Sequence, residues 1–253
     1  MDINEKNIIV TGGAGGIGFC IIQSLLKKNA VVAAVDLDQD KLNDLENKCL
    51  SLPGKVFCYC GDVGDINFAE FVTNDFFNRR GQIDALVNNA AILKDAPLAS
   101  IFKGKINKFP IEVWDETISS NLRGVFCFGR EVAEKMISKR TRGVIINVSS
   151  ISATGNIGQS AYAAAKAGVN ALTVTWASEL SHFGIRVAGI APGMTDTDMP
   201  KNSMNQSAIL EWVKKTPVRR MGFPEEIADG INFILQNDFF CGRVLEIDGG
   251  LRM

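Results

Sequence analysis

Short apolar runs rich in Val and Ile alternate along the chain with longer segments in which apolar residues recur every three or four positions. The short runs are typical of strands buried in a parallel sheet, and the longer segments of amphipathic helices. Strands are predicted at residues 7–11, 31–36, 55–60, 83–89, 143–148, 185–190 and 243–247. Helices are predicted at residues 16–28, 38–50, 65–80, 111–139, 159–183 and 224–236. The pattern predicts an α/β fold with one seven-stranded parallel sheet and helices on both faces.

The connections between these strands predict where a ligand binds. Right-handed crossovers wind such a sheet into a doubly wound Rossmann domain, whose ligands lie at the carboxyl ends of the strands. Two segments interrupt the alternation at that end, residues 92–110 and residues 192–217. The first is predicted to be irregular, and the second to be a mobile excursion with one short helix. We expect a single dinucleotide-binding and catalytic domain over residues 1–253, with these segments as substrate loops.

Composition and charge exclude several classes of partner. The 253 residues are 46% hydrophobic, which is enough for a large core. The 27 basic and 28 acidic residues are scattered, so no broad electrostatic field attracts nucleic acid or an anionic membrane. No segment approaches the ~18 apolar residues of a membrane span, and the charged first residues are unlike a signal peptide. We expect a cytoplasmic protein that binds neither nucleic acid nor membrane.

Six cysteines lie within apolar stretches and show no paired C-x-x-C spacing. Cys58 and Cys60 alternate as they would in a strand, and no His or Cys cluster elsewhere in the sequence matches them. We therefore expect reduced thiols within the core of a cytosolic protein, and no metal site.

A glycine-rich loop follows the first predicted strand and opens the first predicted helix. Residues 11–18 read TGGAGGIG. Glycines permit a tight turn and let the backbone approach a pyrophosphate, which the amides at the start of the helix then bind. A plain strand-to-helix turn is the alternative, but it needs only one or two glycines. The loop therefore predicts a dinucleotide site.

An acidic residue at the end of the second strand predicts which dinucleotide binds. Asp36 lies eighteen residues after Gly18 and is followed by Leu37. A carboxylate there accepts hydrogen bonds from ribose hydroxyls and repels a 2′-phosphate, and no Arg or Lys in the glycine loop or at residue 37 offsets it. NAD is therefore expected rather than NADP, although Asp36 taken alone is also consistent with a solvated charge. Asp62, followed by Val63 after the third strand, is placed to reach the adenine amino group.

The candidate reacting groups lie in the second half of the chain. Tyr162 and Lys166 are four residues apart on a predicted helix and so share one face. A nearby ammonium and a cationic nicotinamide both favour the phenolate, so we expect a lowered pKa for Tyr162. Ser149 ends the fifth strand, where its hydroxyl is expected to hydrogen-bond the reacting oxygen. Ordinary helix residues are the alternative for the Tyr and Lys pair by itself.

With these motifs in order, the chain resembles the short-chain dehydrogenase/reductase family over nearly its whole length. The matching positions are residues 11–18, Asp62, NNAA at 88–91, Asn121, Ser149, Tyr162 with Lys166, Pro192-Gly193 followed by Thr197, and IDGG at 247–250. One departure is Ala91, where the family usually has glycine beside the cofactor.

The resemblance implies a role for each matched residue. Tyr162 is the general acid/base, Ser149 polarises the substrate oxygen, and Lys166 binds the nicotinamide ribose and lowers the tyrosine pKa. Asn121 holds a water that links Lys166 to solvent. The resemblance also implies a homotetramer, and closure of residues 194–217 over the substrate. The expected cofactor-binding residues are Gly12, Gly15, Gly16, Ile17, Gly18, Asp36, Leu37, Asp62, Val63, Asn89, Ala90, Tyr162, Lys166, Pro192, Gly193, Thr195 and Thr197.

The substrate is expected to be a small alcohol or ketone. Residues 92–110, with the basic centre Lys103-Gly104-Lys105, resemble the family's 3-hydroxyacyl-CoA dehydrogenases, so one hypothesis is a CoA- or carrier-linked substrate whose phosphate meets this loop. Solvated lysines are the alternative. Steroids, polyols and simple secondary alcohols remain open, as does a catalytically silent NAD-binding sensor or scaffold. A further hypothesis, a sugar-nucleotide epimerase with similar Tyr and Lys chemistry, predicts a longer chain with a larger C-terminal substrate domain.

Overall fold

The structure, a computed structural model, describes residues 1–203 and 205–252. Met204, within the predicted excursion at 192–217, and Met253, at the end of the predicted domain, lie outside the described residues. The strands are β1 (Asn7–Thr11), β2 (Val31–Asp36), β3 (Lys55–Cys60), β4 (Ala85–Asn88), β5 (Ala99–Phe102), β6 (Lys105–Lys108), β7 (Val144–Val148), β8 (Arg186–Pro192) and β9 (Val244–Ile247). The α-helices are α1 (Gly16–Lys27), α2 (Gln39–Cys49), α3 (Ile66–Arg80), α4 (Ile111–Ile118), α5 (Gly124–Lys139), α6 (Ser160–Glu179), α7 (Asp198–Ser203), α8 (Gln206–Lys215) and α9 (Pro224–Gln236).

The main sheet has the predicted doubly wound topology. Over the described residues, seven parallel strands pair in the order β3-β2-β1-β4-β7-β8-β9. The chain builds outward from β1 to β3 and then returns to the other side of β1 with β4, which leaves a crevice at the carboxyl ends of β1 and β4. Every residue of β1 and β7 is buried, because helices cover both faces of the sheet. The predicted fold class is confirmed.

Two apolar layers hold the helices on the sheet. On one face, α1 and α9 pack through side chains such as Ile22 and Ile231. On the other face, α3 and α5 pack through Phe76 and Phe128, which have no exposed surface. Because these layers hold the helices against the sheet, the loops that follow the carboxyl ends of the strands lie together at one edge of the sheet.

The long helix predicted at 111–139 is interrupted. Helix α4 passes through a π-helical turn at Ser119–Arg123 before α5 begins. The wider turn carries Asn121, whose side chain is buried, and such turns are frequent at functional sites. The helix predicted at 159–183 also ends early, because α6 stops at Glu179 and a 3₁₀ turn leads to Gly184 at φ +74°.

The prediction of irregular structure for residues 92–110 was wrong for part of that segment. Strands β5 and β6 form an antiparallel hairpin in which Ile101 faces Ile106. The two residues between the strands, Lys103 and Gly104, have φ values of +49° and +75°. Positive φ at both central residues is the geometry that suits a two-residue hairpin, and glycine supplies it at the second position. The strands are only four residues long, which is too short for a clear alternating pattern.

The excursion at 192–217 contains two helices rather than the single short helix predicted. They are α7 and α8, and the residue just before α8 is Asn205, whose side chain accepts a hydrogen bond from the Ala208 amide at 2.9 Å. This side-chain cap explains the second helix start. The missed signal was therefore a capping residue rather than a hydrophobic pattern.

The thiols differ in part from the expectation that all lie in the core. Cys49 and Cys127 are buried, whereas Cys60 and Cys241 are exposed, and all six cysteines are free. The exposed pair lie at the edges of the apolar stretches that the sequence suggested would be interior. Separately, no helix among the described residues is both long and apolar enough to cross a membrane.

Candidate active site

One large cavity opens at the carboxyl ends of the strands. Its volume is about 1150 Å³, and its lining comes from the loops after β1 to β4, from the end of β7, from α6 and from the segment after β8. It lies at the crevice where the strand order reverses, which is where this topology places ligands. The cavity is large enough for a dinucleotide and a small substrate together.

The glycine loop forms one wall of this cavity and leaves no room for a side chain at Gly12 or Gly18. Gly12 has φ +62°, and a Cβ atom there would lie 2.7 Å from the Cα atom of Ala90. A Cβ atom on Gly18 would lie 1.9 Å from the carbonyl oxygen of Gly12. Gly15 precedes α1 without any side-chain cap, so the first amides of that helix are left for a ligand. Gly15, Gly16 and Ile17 line the cavity. The loop fits a pyrophosphate.

Asn89 and Ala90 hold the glycine loop in place. The Asn89 side-chain amide donates to the carbonyl oxygens of Thr11 at 3.1 Å and Gly12 at 2.9 Å. The Ala90 amide donates to the Thr11 hydroxyl at 3.1 Å. Asn89, Ala90 and Ala91 also line the cavity, so β4 supports the loop and contributes to the wall facing the ligand.

Asp36 lies where the sequence placed it, at the end of β2 and on the cavity lining. Its carboxylate accepts backbone hydrogen bonds from Ala14 at 3.0 Å and from Asp38 at 3.2 Å. Lys41, for which the sequence predicted no role, also lines the cavity. Its ammonium pairs with Asp38 at 3.5 Å. Asp36, Asp38 and Lys41 together carry one net negative charge.

The opposite wall of the same end comes from the loop after β3. Asp62, Val63 and the exposed side chain of Leu37 line the cavity there. The Asp62 carboxylate accepts a hydrogen bond from the Gly64 amide at 2.8 Å, which fixes one of its oxygens. This wall therefore combines the apolar side chains of Leu37 and Val63 with one carboxylate, that of Asp62.

Tyr162 and Lys166 lie one turn apart on α6, as predicted. The Lys166 ammonium donates to the carbonyl oxygen of Val148 at 2.7 Å and lies 5.7 Å from the centroid of the Tyr162 ring. Lys166 is only 1% exposed, and burial lowers the pKa of its side chain to about 8. The lysine is therefore anchored at the strand end, and the other protons of its ammonium remain for a ligand.

The structure brings Ser150, and not Ser149, against the tyrosine. The Ser149 hydroxyl is buried and donates to the carbonyl oxygen of Lys166 at 3.2 Å. Ser150 follows it and accepts a hydrogen bond from the Ser152 amide at 3.1 Å, and its hydroxyl lies beside that of Tyr162, where it favours the phenolate and so lowers the pKa of Tyr162. A hydroxyl can accept and donate at once, so Ser150 accepts from Ser152 and keeps its own proton to donate to the oxygen of Tyr162 or of a substrate beside it.

The pKa of Tyr162 differs from the sequence expectation. Burial raises it to about 12, and the negative charge of Asp95 adds to this, whereas the hydrogen bond from Ser150 lowers it. In the protein alone, the Lys166 ammonium does not offset the effect of burial on the pKa of Tyr162. The expected lowering of this pKa by Lys166 is therefore not a property of the protein alone, because desolvation of a phenolate outweighs the hydrogen bond that favours it.

Comparison with known proteins identifies the family to which the chain belongs. The family model for short chain dehydrogenases matches residues 6–208. The chain belongs to the short-chain dehydrogenase family. It is an oxidoreductase of that family, whose members bind a nicotinamide cofactor, and the predicted resemblance is confirmed.

Relatives match the chain over almost its full length. A 3-oxoacyl-(acyl-carrier-protein) reductase of Thermotoga maritima is 38% identical over 254 residues, covering 99% of both chains. A (3R)-3-hydroxyacyl-CoA dehydrogenase of Canis lupus familiaris is 31% identical over 258 residues, covering 97% of this chain and 95% of its own. The crystal structure of levodione reductase superposes with a TM-score of 0.91 at 31% identity, covering 98% and 97% of the two chains.

The remaining positions of the short-chain dehydrogenase pattern occupy supporting roles. Both polar atoms of the Asn121 side chain pair with the backbone of Ile92, each at 2.8 Å, so Asn121 ties the π-helical turn to the segment after β4. Thr195 and Thr197 follow β8 and line the cavity. The Thr197 methyl group lies over the glycine loop, 3.3 Å from where a Cβ atom on Gly16 would be.

Gly193 completes the turn after Pro192 at the end of β8. A Cβ atom on Gly193 would lie 2.6 Å from the Cα atom of Asp248, so this turn packs directly against the chain after β9. Pro192 and Gly193 line the cavity. Within residues 1–203 and 205–252, no group of three His, Cys, Asp or Glu side chains is placed to hold a metal ion.

Proposed function

We propose that this protein is an NAD-dependent oxidoreductase that transfers a hydride between nicotinamide and a secondary alcohol or ketone. The observation that carries the proposal is the cluster of Ser150, Tyr162 and Lys166 beside the glycine loop in one continuous cavity. The cofactor, when bound, supplies or accepts the hydride. Proton transfer and orientation of the substrate are left to the protein.

Each member of this cluster has one role in the proposed reaction. In oxidation Tyr162 takes the proton of the alcohol as the phenolate, the form that a cationic nicotinamide favours, and in reduction the phenol gives its proton to the ketone oxygen. Ser150 donates a hydrogen bond to the same oxygen and polarises it. Lys166, held by the Val148 carbonyl oxygen, directs its remaining protons towards the ribose next to the reacting carbon. This role in polarising the substrate oxygen, predicted from the sequence for Ser149, is here assigned to Ser150.

The preference for NAD is supported by the charge around Asp36. Asp36 and Asp38 outweigh Lys41, whose ammonium is already paired with Asp38. A 2′-phosphate would bring further negative charge to this end of the cavity, whereas ribose hydroxyls would donate to the carboxylate. The residue types around Asp36 thus favour a dinucleotide without the extra phosphate.

A substrate panel tests the proposal. Purified protein is incubated with NAD and 3-hydroxyacyl thioesters, steroids, polyols or simple secondary alcohols, and NADH absorbance is followed. Turnover of at least one class is the expected result. Dinucleotide binding without turnover on the whole panel would instead favour a sensor or scaffold, the alternative that the intact set of Ser150, Tyr162 and Lys166 argues against.

Within this class we favour a 3-hydroxyacyl thioester carried by coenzyme A or a carrier protein. The names of the two relatives above, an acyl-carrier-protein reductase and a hydroxyacyl-CoA dehydrogenase, support this choice. The hairpin of β5 and β6 supplies exposed lysines at its turn, but Lys103 and Lys105 do not line the cavity. A lower KM for the CoA thioester than for the same acyl group on a truncated thiol would support carrier recognition. Equal KM values would count against it.

Three further parts of the proposal concern the protein as a whole. A homotetramer is proposed from the family resemblance, and the exposed side chains of Phe126 on α5 and Val174 on α6 offer apolar surface for it. Light scattering during size-exclusion chromatography measures this directly. Free cysteines agree with a cytoplasmic location, and we propose that residues 1–253 act as one domain.

A further inference from the structure

A polar chain crosses the cavity wall beside Tyr162. The Asn156 side-chain amide donates to the Gln159 side-chain oxygen at 3.1 Å. The Gln159 side-chain amide donates in turn to the Asp95 carboxylate at 3.0 Å. Asn156 and Gln159 line the cavity, and Gln159 is only 5% exposed. These three side chains have no part in the reaction roles assigned above.

The backbone ties this chain to the helix that carries Tyr162. The Ala96 amide donates to the carbonyl oxygen of Gly158 at 2.8 Å, and Ala96 forms a parallel bridge with Gln159. The carbonyl oxygen of Gln159 accepts a hydrogen bond from the Ala163 amide at 2.7 Å, which places Gln159 at the first turn of α6. Asp95 is therefore fixed to the start of α6 although it lies 64 residues from Gln159 in sequence.

The direction of the hydrogen bonds follows from the chemistry of Asp95. An ionised carboxylate only accepts hydrogen bonds, so the Gln159 amide nitrogen must face it. The Gln159 oxygen then faces Asn156 and accepts from its amide nitrogen, which leaves the Asn156 side-chain oxygen without a role inside the chain. One carboxylate thus orients two amides on the wall that a substrate would contact.

Asp95 also carries an uncompensated charge. Its neighbour Lys94 pairs with Glu116 instead, and no Lys or Arg in the described part of the chain forms an ion pair with Asp95. Around Tyr162, the charged and titratable groups are Lys166 on the same helix, Asp95 with the Lys94–Glu116 pair, and the cavity-lining acids Asp115 and Asp198. Of these, Asp95 is the one whose charge raises the Tyr162 pKa.

We propose that Asp95 is a positioning residue for this site. It orients Gln159 and Asn156 on the substrate wall, and it holds a carboxylate at the start of the helix that carries Tyr162, so that its charge acts on that hydroxyl. The second half of the proposal rests on the proposed function, since it matters for turnover only if Tyr162 is the acid/base. The geometry of the polar chain does not depend on that function.

The test compares Asp95→Asn with Glu112→Gln, which removes a carboxylate from the exposed face of α4. A carboxylate near a phenol stabilises the neutral form, so its removal favours the phenolate and lowers the pKa of Tyr162. In Asp95→Asn, the rising limb of kcat/KM for oxidation should move to lower pH by about half a unit to one unit. Glu112→Gln should superimpose on the wild-type profile.

A second readout needs no turnover. The chain has two tyrosines, so protein labelled with carbon-13 at the tyrosine Cζ atom gives two resonances, which Tyr162→Phe assigns. The onset of Tyr162 titration should shift to lower pH in Asp95→Asn by the same amount. Tyr59, whose hydroxyl bonds Asp75 at 2.7 Å, should not move and serves as an internal control. A shift in this spectrum without turnover on any substrate would support the role of Asp95 and count against the proposed function.

Gln159→Leu separates orientation from charge, because it removes the amide and keeps Asp95. We expect KM for the alcohol to rise about 5- to 10-fold, the effect of one lost hydrogen bond, while the Tyr162 resonance stays near its wild-type titration. Asp95→Ser repeats the charge test should Asp95→Asn be unstable. The proposal is overturned if Asp95→Asn and Glu112→Gln give the same Tyr162 titration, or if Gln159→Leu leaves KM unchanged.

Discussion

The two ends of the cavity are built in different ways. The nucleotide end, formed by residues 11–18 with Asp36 and Asp62, consists mainly of backbone that follows directly after strands β1, β2 and β3. The end at which we propose catalysis, here called the catalytic end, consists of side chains from segments far apart in sequence: Ser150, Tyr162 and Lys166 with the Gln159–Asp95 pair. The first end depends on local backbone geometry, and the second on how separate segments pack together.

This difference has a consequence for substitutions. A change at the nucleotide end should act on cofactor affinity through steric fit or charge. A change at the catalytic end should act on turnover through the reacting proton and leave cofactor affinity nearly intact. Four substitutions test this separation, two at each end.

Tyr162→Phe should have the largest effect. It removes the hydroxyl that exchanges the proton and keeps the ring, so turnover should fall by about 10³-fold. Dissociation of NAD, measured by calorimetry, should change little because the ring does not carry the pyrophosphate or adenosine contacts. A variant with half the wild-type rate would show that Tyr162 is not the acid/base.

Ser150→Ala should come next, with a loss of about 10²-fold in kcat from one missing donor to the reacting oxygen. Ser149→Ala is the matched control, since that hydroxyl donates to the Lys166 carbonyl oxygen at 3.2 Å. The control should lose about 1 kcal/mol of unfolding free energy and keep most of its turnover. Equal losses of kcat in the two variants would mean that the contact between Ser150 and Tyr162 has no functional role.

Gly18→Ala should act at the nucleotide end, because its Cβ atom would lie 1.9 Å from the Gly12 carbonyl oxygen. Forcing the loop apart should cost about 1–3 kcal/mol, seen as a lower melting temperature and weaker NAD binding. Gly15→Ala is the control for stability, since a Cβ atom there meets nothing within 4 Å. A Gly18→Ala protein with wild-type stability and affinity would contradict the tight packing of this loop.

Asp36→Asn should have the smallest effect, a shift of about 10-fold in the ratio of kcat/KM for NADP to that for NAD. The change removes one negative charge and keeps an oxygen that accepts hydrogen bonds, so repulsion of a 2′-phosphate should weaken. Asp40→Asn, on the exposed face of α2, should leave the ratio unchanged. A ratio unchanged in both variants would show that Asp36 does not face the ribose.

Much of the fold was predictable because it depends on local patterns. Strands of the main sheet begin and end within a few residues of their predicted bounds, since burial on both faces selects continuous apolar runs. The hairpin of β5 and β6 was missed because its four-residue strands lie exposed and carry no such run. Helix α8 was missed because its start depends on a single capping residue, Asn205.

The candidate site divides in the same way, into features that follow from the local sequence and features that depend on packing. The glycine loop and Asp36 were recognisable because each lies at the end of a strand. The shape of the loop also requires glycine at Gly12 and Gly18, where a Cβ atom would collide with the backbone. Ser149 and Ser150 could not be separated in this way. Both follow β7, and only the packing of α6 against that strand end shows which hydroxyl meets Tyr162.

The sequence by itself determined the topology of the sheet, the glycine loop and the pairing of Tyr162 with Lys166 on one helix face. These features follow from periodicity and from short spacings along the chain. Only the tertiary structure decided that Ser150 rather than Ser149 lies beside Tyr162, that burial raises the pKa of Tyr162, and that Asp95 contacts Gln159. Hydrogen bonds and desolvation depend on which distant segments meet in space, and a linear pattern of residues does not specify that.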